Sequence, residues 1–370
     1  MIDMIRILHV IPNMQMGGLE TFIMNLYRHI NRDEVQFDFL THYKQDFFYD
    51  DEITSLGGKI YHLSVRNDNN IVKYVYDLNR FFKQHQEYKI IHGHMESLGF
   101  FYLGVAKKNL VPVRIAHAHN SATESTLKGR MKNVLRQGYS TFATDLFACS
   151  EIAGNYMFGC DRNYKIIHNA IDINKFEYNP SVRRILRKKL NINLQQLVVG
   201  HVGRFEKQKN HYFILKIFAD LLKKKPDSIL LLLGKGDLFE AVKSRAEAMG
   251  IYDHIRFLGV RNDVDKIYQA MDVFLMPSLF EGLPVSGIEA QASGLPCVFS
   301  TNITQELAVT GNVRFLSLQD PVSKWSDTII TLNSQIVREN TSQDIINAGY
   351  EIDTQSNLLQ QFYKNKWGEC

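Results

Sequence analysis

The sequence predicts an α/β protein built as two Rossmann-like domains that face each other and hold a ligand in the cleft between them. Three observations predict this. The chain has 370 residues, too many for one ordinary core, which makes two domains the expectation. Short apolar runs rich in β-branched residues alternate with amphipathic helical patterns, once up to residue 172 and again beyond it. Glycine-bearing segments with charged residues sit where strand candidates meet helix candidates, and open α/β sheets bind ligands outside the carboxyl ends of their strands.

The elements follow in order. Ile5 to Ile11 reads as a strand, Asn13 to Gly18 as a loop and Leu19 to Ile30 as a helix. Val35 to Leu40 and Lys59 to Leu63 are strand-like, with a short helix at Asp50 to Leu56 between them. Val72, Val75, Leu78, Phe81 and Phe82 have helical spacing, which predicts a helix over Val72 to His85. Strands at Ile90 to His92 and Val113 to Ala118 flank a helix at Leu98 to Lys107. A basic helix at Lys128 to Tyr139, a strand at Leu146 to Cys149, a helix at Glu151 to Phe158 and a strand at Lys165 to His168 complete the first domain, residues 1–172. The polar stretch Glu177 to Pro180 reads as the link. The alternation restarts with strands at Leu197 to Val202, Ile229 to Leu233, Ile255 to Leu258, Val273 to Met276 and Cys297 to Phe299. Helices between them are expected at His211 to Lys224, Phe239 to Met249, Val264 to Ala270 and Pro284 to Ser293. Residues 173–350 form the second domain, and 351–370 a helical tail packing back on the first.

Composition excludes several classes. Apolar residues make up 45% and charged residues 22%, as in soluble globular proteins. Four scattered cysteines (149, 160, 297, 370) form no C-x-x-C pair, so neither a disulfide framework nor a cysteine zinc site is expected, and a reducing compartment fits. No signal peptide and no bilayer-spanning run is visible, which points to the cytoplasm. A net charge of +4 favours an anionic ligand or membrane surface and gives no sign of nucleic acid.

The chain is organised around Pro277 to Ala290, a Gly/Pro loop that follows the strand at Val273 to Met276 and runs into the helix at Pro284 to Ser293. Backbone amides and a helix N-terminus there suit an anion. Glu281 on the loop and Glu289 inside the helix bracket it with seven residues between them. They read as ligands for hydroxyl groups, or as a surface acid and a solvated helix residue. The segment Val202 to Asn210 makes the same strand-to-helix passage, and Arg204 and Lys209 read as holding a diphosphate, or as part of a solvated basic turn. Gly17-Gly18 is either a phosphate approach or a plain tight turn, and Gly234-Lys-Gly-Asp237 and Leu258 to Asn262 carry the same ambiguity. His117 and His119 close a strand, as His92 and His94 close the one before it. With no acidic third ligand nearby in sequence, a zinc site is not expected. His119 reads as a hydrogen-bonding partner for a substrate and His117 as structural.

Together these pieces resemble the retaining glycosyltransferases of family 4, which have the GT-B fold. The match is to their E-x7-E element, here Glu281 to Glu289, and their G-R-x-x-x-x-K element, here Gly203-Arg204 to Lys209. Gly17-Gly18, Asn169-x-Ile-Asp172 and Phe257-Leu-Gly259 also stand where that family has such sequences, and the resemblance covers nearly the whole chain. It is strongest to bacterial exopolysaccharide and capsule enzymes. The resemblance implies that Glu289 holds the ribose of a nucleotide and Glu281 the donor sugar near its anomeric centre. Arg204 and Lys209 would neutralise the diphosphate, with Gly17, Gly18 and amides around Gly282, Leu283 and Pro284 assisting. His119 would lie near the donor sugar, and backbone around Val260 and Arg261 would meet the base. One departure is Asn210, where a glycine commonly follows the lysine; asparagine caps helices well, so little harm is expected.

The expected activity is transfer of a sugar, with retention, from a nucleotide-diphosphate sugar to a lipid-linked or saccharide acceptor in polysaccharide biosynthesis. No metal or other cofactor is expected. The rival readings are a nucleotide-sugar epimerase and a non-catalytic sugar-binding protein. Lys128, Arg130, Lys132 and Arg136, around Met131, Val134 and Leu135, would bind an anionic membrane surface and make the protein peripheral at the inner face of the cell membrane, or form a solvated basic helix.

Overall fold

The computed structural model describes residues 4–15, 17–63, 65–119 and 138–370. The expected basic helix at 128–139, with its membrane-facing residues, lies outside these apart from its last two positions. The chain divides into two compact units. One runs to Ala170 and takes in Ile352–Cys370, and the other is Ile171–Glu351.

The first unit holds strands β1 (Ile5–Val10), β2 (Val35–Thr41), β3 (Ile60–His62), β4 (Ile90–Gly93), β5 (Val113–Ala118), β6 (Asp145–Ala148) and β7 (Lys165–Ile166). They pair in parallel in the order β3-β2-β1-β4-β5-β6-β7. The second unit holds β8 (Val198–Val202), β9 (Ile229–Leu233), β10 (Ile255–Gly259), β11 (Val273–Met276), β12 (Cys297–Ser300) and β13 (Val313–Leu316). These are also parallel, in the order β10-β9-β8-β11-β12-β13. Helices cover both faces, so central strands read as unbroken apolar runs. Ile229–Leu233 is buried at every position. In each sheet the winding reverses once, between β1 and β4 and between β8 and β11. Such a reversal opens a crevice at the carboxyl ends of the two strands.

The polar stretch at 177–180 is no link. The chain passes into the second unit at Ala170–Ile171, and Asn179 caps the helix Pro180–Lys189 by accepting from the Ser181 and Val182 amides at 2.9 and 3.2 Å. Its polarity comes from that cap and from proline at the first helical position. The entry and exit of the second unit lie side by side, where Ile171 bridges Glu351 and its amide donates to the Tyr350 carbonyl. The expected strand at Lys165 to His168 is only Lys165–Ile166. Several elements had no counterpart in the sequence reading, among them the helix Pro180–Lys189, edge strand β13 and the helices Val322–Gln335 and Ser342–Asn347. β13 is half-exposed and lacks the continuous apolar signature of its neighbours.

Strands β8 and β11 are clasped at their amino ends. Asp272 accepts from the Val198 amide at 2.7 Å and pairs with Arg183 at 2.5 Å and Arg187 at 2.6 Å. The Arg187 side chain is wholly buried and also donates to the carbonyls of Ala270, Asn193, Leu194 and Gln196. Removing one partner leaves a charge buried and unpaired. Asp272→Ala is therefore expected to cost about 3–5 kcal/mol, seen as a lowered urea midpoint with an unchanged slope.

Candidate active site

The loops that leave β8 and β11 lie together above the second unit's strand reversal. Asn210 donates to the Pro277 carbonyl at 3.0 Å, and the Leu279 amide donates to the Gln208 carbonyl at 2.8 Å. Gln208 also donates to the Phe280 carbonyl at 3.0 Å and to Glu281 Oε2 at 3.1 Å. The other Glu281 oxygen meets Lys209 Nζ at 2.7 Å, and both side chains are largely buried, 8% and 15% exposed. Lys209 lies across Gly203, where a Cβ would stand 3.1 Å from its Cδ. The loop after β9 packs beneath. Gly234, at φ +126°, brings its backbone so close that a Cβ would fall 2.1 Å from the Gly203 carbonyl oxygen.

Asn210 stands at the N-cap position of the helix His211–Lys224, as expected, but without the expected capping bond. It adopts the left-handed conformation, φ +57° and ψ +43°, makes no side-chain cap and spends its amide on Pro277. That backbone is the one glycine adopts freely and asparagine tolerates best among other residues, which explains why either serves there.

Arg204 does not join Lys209. Its side chain is 68% exposed and pairs with Glu206 at 2.9 Å. Glu289 is half-buried on the helix Val285–Ala292 and accepts from the buried Tyr268 hydroxyl at 2.9 Å. Desolvation pushes its carboxyl up to about 7, against the opposing effect of the Tyr268 hydrogen bond. Leu283 and Pro284 are buried, and Pro284 occupies the position before the helix. Of the first helical amides, Gly287 donates to the Pro284 carbonyl at 3.0 Å, while those of Val285 and Ser286 have no intrahelical acceptor. Val260 and Arg261 follow β10, two strands from β8. Val260 is exposed, and the Arg261 guanidinium is held by Asp263 at 2.7 and 2.8 Å.

The sequence reading missed His201, His211 and Ser278. His201 is buried on β8 with Nδ1 on the Leu275 carbonyl at 2.9 Å. His201 Nε2, both His211 nitrogens and Ser278 Oγ are buried without a partner among the described residues. Buried polar atoms without partners are rare, and these gather where β8 and β11 end. Burial pushes both imidazoles down, His211 to about 3, so both are neutral. A polar residue at the end of an apolar strand, as in Val-Val-Gly-His-Val, is the signal that was available.

In the first unit, Gly17 precedes the helix Gly18–His29 with extended backbone, φ −160°, which any residue adopts. The space where a Gly18 Cβ would stand is open, so a ligand can approach the backbone there. His119 is half-buried just past β5, and its amide donates to Glu96 Oε1 at 3.3 Å. Ring nitrogens of His9, His92 and His94 lie within 4.8 Å of one another, as do those of His94, His117 and His119. The nitrogens bond each other in pairs, His9 with His94, His92 with His117 and His94 with His119.

The site can therefore place a cation, two carboxylates, unpaired helix amides and neutral imidazoles around a polar anionic ligand. Two family models match the chain: Glycosyltransferase Family 4 over residues 16–175 and Glycosyl transferases group 1 over residues 182–351. EpsF of Bacillus subtilis (strain 168), named as a glycosyltransferase, is 36% identical over 368 residues, covering 97% of this chain and 96% of that protein. An Escherichia coli enzyme named UDP-Gal:alpha-D-GlcNAc-diphosphoundecaprenol alpha-1,3-galactosyltransferase is 26% identical over 75% of this chain and 76% of its own. The crystal structure of Anabaena Alr3699/HepE in complex with UDP-glucose superposes with a TM-score of 0.79 at 17% identity, covering 99% of this chain and 100% of that one.

Two outcomes are expected of substitutions here. Asn210→Ala should cost about 1–2 kcal/mol, from a strained left-handed backbone and a lost hydrogen bond, whereas Asn210→Gly should cost less; chemical denaturation checks both. The Glu289 carboxyl is raised in the folded state, so the stability it contributes is full below the ordinary value of 4.5 and is lost as pH rises through about 7. Glu289→Gln does not titrate and should flatten the fall of Tm between pH 5 and 8.

Proposed function

Because the chain belongs to the family 4 glycosyltransferases, enzymes of the GT-B fold, we propose that it moves a sugar, with retention, from a nucleotide-diphosphate sugar to a lipid-linked saccharide in polysaccharide biosynthesis. The observation that carries this is the crevice between β8 and β11, where Lys209 and Glu281 form a largely buried pair 2.7 Å apart beside the helix that bears Glu289. Lys209 neutralises the charge that grows on the departing diphosphate, and the helix amides add their dipole. Arg204 turns from Glu206 to the same phosphates when the donor binds. Glu289 accepts from the ribose hydroxyls, giving up its proton as it does so. Glu281 holds the donor sugar near its anomeric carbon, and His119 hydrogen-bonds the transferred sugar. Gly18 and its neighbour Gly17 admit backbone to the phosphates, and backbone at Val260 and Arg261 meets the base.

Gln208 holds one oxygen of Glu281, and in this reading the donor sugar's hydroxyls take the carboxylate once Lys209 turns to the diphosphate, so Glu281 is not assigned as a nucleophile. We assign same-face attack, in which the leaving phosphate takes the acceptor proton. The family's relatives named above are transferases or named as such, and none supports an epimerase or a sugar receptor. A lipid-linked acceptor is supported by the Escherichia coli relative's name. No described helix is long and apolar enough to cross a membrane. We assign contact with anionic lipid at the inner face of the cell membrane to the basic residues 128–136.

Incubating the protein with a panel of UDP-sugars and undecaprenyl-diphosphate saccharides should give a glycosylated lipid with the donor's anomeric configuration. Epimerised donor without transfer, or binding without turnover, would overturn the reading. Lys209→Ala and Glu281→Gln should each lower kcat by about 10²–10³, and Arg204→Ala by less. A glycosyl group trapped on Glu281 would contradict same-face attack.

A further inference from the structure

Five imidazoles share one face of the first sheet, across its strand reversal. His9 lies on β1, His92 on β4 with His94 just beyond, and His117 on β5 with His119 just beyond. They form two separate chains. In one, the Tyr363 hydroxyl meets His92 Nδ1 at 2.6 Å and His92 Nε2 meets His117 Nδ1 at 3.0 Å. In the other, His9 Nδ1 meets His94 Nε2 at 3.0 Å and His94 Nδ1 meets His119 Nε2 at 2.9 Å. The His9 and His94 rings are 5.3 Å apart between centroids and inclined by only 11°. With the nitrogens in hydrogen-bond contact, this places the rings end to end.

Burial drives all five imidazoles to the neutral form, His9 and His119 to about 3. A neutral ring carries one N–H and one lone pair, so each choice dictates the next. The chain His9–His94–His119 has just two consistent arrangements: every Nδ1 carries hydrogen, or every Nε2 does. They differ at the two ends, His9 Nε2 and His119 Nδ1, both buried and without a partner among the described residues. His9 is fully buried against Phe37 and Phe39, while His119 is half-buried at the strand end. A buried N–H without an acceptor is tolerated less than a bare lone pair. The arrangement that leaves the lone pair on His9 puts the hydrogen on His119 Nδ1.

We propose that His9 and His94 are positioning residues that lock His119 in its Nδ1–H tautomer, so that His119 offers a hydrogen-bond donor to an oxygen of the substrate. The tautomer lock stands on the geometry of the chain; the substrate contact rests on the assignment of His119 made above. Neither His9 nor His94 touches the substrate. His9 acts on His119 only through His94, and the second chain, pinned by Tyr363, does not share in the lock.

The test is side-chain nitrogen NMR of the full chain labelled with ¹⁵N-histidine, which distinguishes N–H from bare nitrogen in each ring. His9, His94 and His119 are expected in the Nδ1–H form. His94→Phe and the more remote His9→Phe are each expected to convert His119 to a mixture of tautomers, with His9→Gln taking its place if the phenylalanine variant does not fold. His117→Phe is expected to leave the His119 tautomer unchanged. With the donor identified in the transfer assay, kcat should fall about tenfold in the His94 and His9 variants while KM for that donor moves less than about twofold. An Nε2–H form of His119 in the unaltered protein, or a tautomer indifferent to both substitutions, would overturn the proposal. So would stoichiometric zinc, nickel or copper in the purified protein, because the ring nitrogens would then be ligands. If the variants shift the His119 tautomer but a panel of UDP-sugars leaves its resonances unmoved, the substrate contact fails and the lock stands.

Discussion

Strands β8 and β11 are distant in sequence and adjacent in space, and the chemistry of the second unit depends on that adjacency. The reversal of winding leaves their carboxyl ends uncovered by any crossover helix. Asp272 fixes their amino ends through Val198 and two arginines. Asn210, Gln208 and Leu279 fix the loops at the other end. Lys209 and Glu281 meet only because two loops from different parts of the chain are held at both ends of one strand pair.

The charges in that crevice balance one another without ligand. Lys209 faces Glu281, Arg204 faces Glu206, and Glu289 faces a hydroxyl and not a cation. An arriving diphosphate replaces carboxylates as the partner of the cations, so its binding carries a competition within the protein and not only a gain. The cost of exchange is smallest for Arg204, whose present pair is exposed and worth little. Glu289 differs, since it takes its hydroxyl partner from the core and its raised proton affinity from desolvation.

Much of this was legible in the sequence. The apolar runs of β8, β9 and β11 and the loops after them stand where the pattern put them, because buried parallel strands leave a strong signature. β13 was not legible because a half-exposed edge strand has no such signature. Lys209 and Glu281 were recognisable as residue types at strand ends, but the outward turn of Arg204 was not, since a flexible exposed side chain chooses its partner from local charges. Asn210 was read by its usual role as a cap, and the left-handed turn won because the loop needs that backbone. The histidine chains were invisible beyond their pairs, as His9, His94 and His119 come from three strands and only the sheet order makes them neighbours.

The helix Ile352–Gly368 belongs to the first unit although every residue of the second unit precedes it. Leu359, Phe362 and Tyr363 fill that unit's core, and Gln360 reaches the Asn31 amide and Glu34. During synthesis the earlier-made sheet must therefore wait, one face unsealed, until the ribosome has finished its later-made companion. The order of translation and the order of completion are opposite. In that interval the nascent amino-terminal half displays the hydrocarbon that the helix Ile352–Gly368 later covers.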